Sequence, residues 1–142
     1  MRSPARIAFA LALMFALPAW AQAPNLVVED AWIMTPPAGA REAVAYVTVR
    51  AALDDRLLGV ACACAARAEL HEMNMQGTTM AMRPLRYGAP ISADIALRMG
   101  PHGVHIMLVG LTAPLPEGQT VPLRLTFRDA GVIAVTAAVR RH

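Results

Sequence analysis

Lysine is absent from this 142-residue chain, and all thirteen basic residues are arginine. They are scattered rather than gathered into a patch. The formal net charge is +3, falling to +1 once Arg2 and Arg6 are set aside. A nucleic-acid partner, which needs a basic stripe or face, is therefore not expected. Cysteine is nearly absent as well: only Cys62 and Cys64 occur, separated by Ala63. Alternate residues of a strand share a side, but so short a ring closes with difficulty, so a disulfide, a metal-binding thiol pair and two small buried side chains all stay open. No glycine-rich phosphate loop, metal-hydrolase signature or Ser/His/Asp arrangement occurs, so an enzyme is not expected. Repeats, low-complexity tracts and linkers are missing too, and the length suits one domain.

The N-terminus is the one strongly apolar stretch. Arg2 and Arg6 precede the run from Ile7 to Leu17, followed by Pro18 and the small-residue pattern Ala19-Trp20-Ala21-Gln22-Ala23. That order is a secretory signal peptide over residues 1–23, with cleavage after Ala21 or Ala23. The apolar run is about half the roughly 20 residues a bilayer span requires, and nothing later is long enough. The expectation is a periplasmic protein whose mature domain, residues 24–142, has no membrane span.

Through the rest of the chain, apolar and polar residues alternate in short segments broken by Gly or Pro about every ten residues. This predicts an all-β fold, a β-sandwich of about eight or nine strands. The segments are 26–34, 43–51, 56–61, 68–75, 79–85, 92–99, 104–111, 121–128 and 132–139.

The methionines are unevenly placed. Met73, Met75, Met80 and Met82 crowd one short window that opens with His71. A two-residue turn at Gln76-Gly77 would place His71 opposite Met82 and Met73 opposite Met80, all on one face. Further on, His105 and Met107 share a face of their strand by the period-two rule, with Ile106 and Leu108 on the other. Methionine in a strand is ordinarily gap-filling core. Two His and Met frames together favour a metal instead. Thioether sulfur with imidazole selects Cu(I) over zinc, calcium or magnesium, and no carboxylate is required close by. Thioethers also need no deprotonation and form no disulfides, which suits an oxidising compartment.

The strings Glu69-Leu70-His71-Glu72-Met73, Met82-Arg83-Pro84-Leu85, His105-Ile106-Met107-Leu108-Val109-Gly110-Leu111 and Val121-Pro122-Leu123-Arg124-Leu125-Thr126-Phe127, with Asp30-Ala31-Trp32 and Ala45-Tyr46, closely resemble the periplasmic copper chaperones called PCuAC. Ten residues separate His71 from Met82, and twenty-two separate Met82 from His105, matching that family's spacing. The resemblance implies a cupredoxin-like, Ig-like β-sandwich. It also implies one Cu(I) site made by His71, Met82, His105 and Met107, with Met73 and Met80 as auxiliary residues. The implied role is copper delivery to a copper-accepting protein, such as a cytochrome c oxidase subunit at its dinuclear copper centre, or another copper chaperone. Cys62, Cys64 and Met34 depart from the family pattern. No Met- and His-rich extension follows the last strand, so a second, Cu(II)-binding tail site is not expected.

Two other readings compete. A blue-copper electron carrier needs a Cys thiolate beside two His and a Met, and the two cysteines lie outside the His and Met frames. A metal-free adhesion or assembly domain would show no copper dependence at all.

Overall fold

The computed structural model describes residues 25–142. The expected signal peptide and its cleavage point lie outside them. Ten strands are formed, one more than the upper expectation: β1 Leu26–Met34, β2 Glu42–Ala51, β3 Asp55–Ala61, β4 Ala65–Gln76, β5 Thr79–Pro84, β6 Ala89–Ile91, β7 Leu97–Arg98, β8 Val104–Leu111, β9 Thr120–Phe127 and β10 Gly131–Arg140. No helix is present among the described residues, and none is long and apolar enough to cross a membrane.

Period-two patterning explains most of these elements. In β9 the residues Val121, Leu123, Leu125 and Phe127 are buried, while Thr120, Pro122, Arg124 and Thr126 are exposed. In β8 Ile106 and Leu108 are fully buried, which turns His105 and Met107 to the opposite face. The strands form one ladder in the order β5-β4-β8-β2-β1-β10-β9-β3-β6, with β7 also paired to β2. β1 and β10 run parallel and every other pair is antiparallel. The ladder folds over on itself, since β3 packs on β4 and β6 on β2 without being their hydrogen-bonded neighbours. Between the two halves lie Ile33, Val47, Val49, Leu57, Ile106, Leu108, Leu123, Leu125 and Phe127. This is a single all-β domain of the sandwich class.

One expected strand is replaced. Residues 92–99 do not form a continuous strand. Asp94 has a positive φ of 60°, a conformation strands exclude. Two hydrogen bonds hold the turn around it: Ala93 N–H to Asp54 Oδ1 (2.7 Å) and Asp94 N–H to the Ala51 carbonyl (2.9 Å). What remains are the short β6 before it and β7 after it.

Candidate metal centre

β4 lies between β5 and β8, so residues of all three strands meet on its outer face. Across β4 and β8, His71 stands opposite His105 and Glu69 opposite Met107. Across β4 and β5, Met73 stands opposite Met82 and Met75 opposite Met80. The expected facing of His71 with Met82, and of Met73 with Met80, is therefore corrected by two residues. The cause is the turn. Its central pair is Gly77-Thr78, not Gln76-Gly77, and Gly77 alone of the two has positive φ (64°), as a type II′ turn requires of its first central residue. A shift of two keeps every side chain on its face, so the outer face still carries all the expected residues.

His105 is the best-defined member. Its Nδ1–H donates to the Gly103 carbonyl at 3.1 Å, an oxygen that also accepts from Met73 N–H at 3.1 Å. That bond fixes the neutral tautomer and leaves a lone pair on Nε2. Nε2 lies 3.4 Å from Met82 Sδ. Two ligands on one tetrahedral ion, at about 2.0 Å for nitrogen and about 2.3 Å for sulfur, stand about 3.5 Å apart. The pair is thus already at a chelating separation. Met82 spans the width of β4 to reach it, which an unbranched thioether side chain can do.

His71 packs edge-on against His105, with ring centroids 5.9 Å apart. Its Nε2 bonds to Glu69 Oε2 at 3.0 Å, and its Nδ1 is buried with no protein partner. That leaves a buried imidazole nitrogen without a protein partner, on a ring packed against His105, as a candidate metal donor. Met107 shares the face and sits diagonally from His71, within the reach of a long side chain. Met73, paired with Met82, borders the site. Met80 lies one pair further out on the hairpin, beside Met75.

Glu69 was not among the expected residues. Hydrogen bonds from the Arg67 guanidinium and from His71 hold its carboxyl below the usual glutamate range. Its position two residues before His71 on the same strand was the available signal. Gly103 had none, since its contribution is a backbone carbonyl.

Burial within the site is uneven. His71 and His105 are 9% and 4% exposed, whereas Met82 is 48% exposed. The nitrogen donors are walled in and one sulfur donor faces solvent. Among the described residues no three of His, Cys, Asp and Glu converge to hold a metal, so any ion here must draw on the thioethers. That chemistry suits a soft ion and disfavours zinc, calcium or magnesium.

Of the three states open to the cysteines, the structure takes the disulfide: Cys62 and Cys64 are joined. They lie on the β3–β4 connection and supply no thiolate to this face.

Comparison with known proteins follows the same lines. The copper-bound PCuAC domain from PmoF2 matches with a TM-score of 0.68 at 25% identity, over 83% of this chain and 94% of that one. The solution structure of CuI-DR1885 from Deinococcus radiodurans matches with a TM-score of 0.63 at 30% identity, over 87% and 84%. The curated relative "Putative lipoprotein Lxx21020" of Leifsonia xyli subsp. xyli is 31% identical over 129 residues, covering 87% of this chain and 78% of that protein. The fold is that of the PCuAC-type copper chaperones. The family model described as "Putative lipoprotein LpqE-like" matches residues 26–139, and the chain belongs to that LpqE-like family.

Proposed function

We propose that the protein is a Cu(I) metallochaperone acting outside the cytoplasm, and that His71, Met82, His105 and Met107 hold the ion as cargo. The observation that carries this reading is the His105 Nε2 lone pair, set by the Gly103 carbonyl and facing Met82 Sδ at 3.4 Å. The orphaned His71 Nδ1 supports it. So do structural relatives described as copper-bound and Cu(I)-bound. Export is supported by the signal-peptide pattern in the sequence, by relatives described as lipoproteins and by a disulfide, which persists in oxidising compartments.

The uneven burial suits handover. A partner's ligand can approach from the solvent side and displace the Met82 thioether first, while the two imidazoles keep hold of the ion. A copper-accepting protein is the partner class this implies, and the dinuclear copper centre of cytochrome c oxidase is the recipient we favour. The electron-carrier alternative loses its required thiolate to the Cys62–Cys64 bridge.

The test is a Cu(I) competition titration under reductant, comparing the wild type with His71→Ala and Met107→Ala. Each substitution is expected to weaken binding at least about tenfold, since the remaining ligands must close the shell without it. Wild-type affinity in both variants overturns the site.

A further inference from the structure

The Cys62–Cys64 bridge takes no part in the metal centre. It lies just before β4, and the six residue steps from Ala65 to His71 place it about 20 Å from the site along the strand. The bridge spans a single intervening residue, and the chain entropy a disulfide removes from the unfolded state grows with the number of residues enclosed. As a structural staple it is therefore near the bottom of its range. Nor does the connection need it for its shape. Ala65 N–H donates to the Cys62 carbonyl (3.3 Å), and Thr112 donates to the Cys64 carbonyl through both its N–H (2.9 Å) and its hydroxyl (3.1 Å). The strands on either side are anchored independently, β3 on β9 and β4 on β8. Both cysteines are only part-buried: they pack against the core and keep some exposure to solvent. The two sulfurs also differ: Cys64 N–H donates to Cys62 Sγ at 3.1 Å.

We propose that Cys62–Cys64 is a thiol–disulfide exchange site that accepts two electrons from a protein dithiol, with Cys64 the sulfur attacked and Cys62 the leaving thiolate. The partner's first thiolate bonds to Cys64 Sγ and the Cys62–Cys64 bond breaks. The electron pair goes to Cys62 Sγ, where the Cys64 N–H meets the new negative charge, and the better-stabilised thiolate leaves faster. The partner's second thiolate then attacks its own sulfur in the mixed disulfide and Cys64 departs. The partner ends as a disulfide, Cys62 and Cys64 end as thiols, and the protons of the two partner thiols pass to them. A dithiol is required because of the short spacing. Against a monothiol, the Cys62 thiolate is held next to the mixed disulfide and recloses the ring. Only a second thiolate tethered to the first competes with it. This inference stands apart from the copper reading and uses none of the metal ligands.

The copper-free full-length protein is treated with dithiothreitol as the dithiol probe and, separately, with glutathione as the monothiol probe. Each reaction is quenched by alkylation and mapped by mass spectrometry. In native buffer, dithiothreitol is expected to yield two alkylated cysteines. Glutathione at the same thiol concentration should leave the bridge mostly closed, with its trapped adduct on Cys64 in about tenfold excess over Cys62. The Cys62→Ser/Cys64→Ser double variant should melt within a few degrees of the oxidised wild type. A bridge that opens only in denaturant overturns the proposal, as does a melting temperature lower by about 10 °C or more in the double variant. Adducts equal on both sulfurs, or mainly on Cys62, overturn it as well.

Discussion

His71 is a buried ring with one nitrogen bonded to a carboxylate and the other bonded to nothing. Leaving a buried polar atom unpaired costs about 1–3 kcal/mol, so its retention needs a reason, and the ligand role proposed for His71 would supply one. Glu69 then matters through orientation. It accepts from His71 Nε2 and is itself held by Arg67, so the imidazole cannot swing away from His105. Glu69→Gln keeps the shape but removes the charge and one acceptor. It is expected to weaken Cu(I) binding about tenfold, the scale at which partners behind a ligand act, while the melting temperature of the copper-free protein stays unchanged. Equal affinities for wild type and variant in the competition titration would show that Glu69 does not position His71. A donor set that requires no carboxylate close by gives no reason to look for one; Glu69 serves the imidazole and not the ion.

At the scale of strands, burial made most of the chain legible. Alternation in β9 is strict enough to say which residues face the core, whereas β1 loses it at a bulge between Glu29 and Trp32 and buries the adjacent Trp32 and Ile33. Alternation also puts His71 and Met82 on one face of their hairpin and His105 and Met107 on one face of their strand; that the two faces adjoin follows from the pairing of β4 with β8. Register is another matter, since a slip of two residues leaves every face unchanged and so leaves no trace in the hydrophobic pattern. Only the turn decides it, and there the backbone conformation of Gly77 outweighed the polarity of Gln76. The two ends of the β3–β6 and β4–β5 pairings allow this to be measured. Gly77 and Gly88 both have positive φ, but a Cβ on Gly77 would meet open space, whereas one on Gly88 would lie 2.2 Å from the Leu57 carbonyl oxygen. Gly77→Ala carries backbone strain alone and should cost about 1 kcal/mol in urea unfolding. Gly88→Ala adds a clash with backbone that cannot step aside and should cost at least about 2 kcal/mol more. Similar costs for the two would show that the β3–β6 corner yields freely.

Across the whole molecule, the loops that close the sandwich are tied by one carboxylate. Asp55 begins β3, is almost fully buried, and accepts hydrogen bonds from Arg56 N–H (2.7 Å), Asp129 N–H (3.0 Å) and Ala130 N–H (3.0 Å). It thereby fastens β3 to the turn between β9 and β10. Burial by itself would push this carboxyl up. The backbone donors of Asp129, Arg56 and Ala130, with the charge of Arg128, together outweigh it and hold the carboxyl below the usual aspartate range. A carboxyl depressed on folding contributes stability that is fully present above its unfolded range and is lost as pH falls through the folded one. Asp55→Asn replaces an acceptor of three bonds with one weaker oxygen and a misplaced donor. At neutral pH it should cost about 1–3 kcal/mol in chemical denaturation. The difference from wild type should shrink steadily as the pH drops below about 4, because protonation does to the wild type what the substitution has already done. Glu69 is depressed as well, but it is too exposed to contribute a comparable share. A gap that stays constant down to acid pH would mean that Asp55 acts through its shape and not its charge.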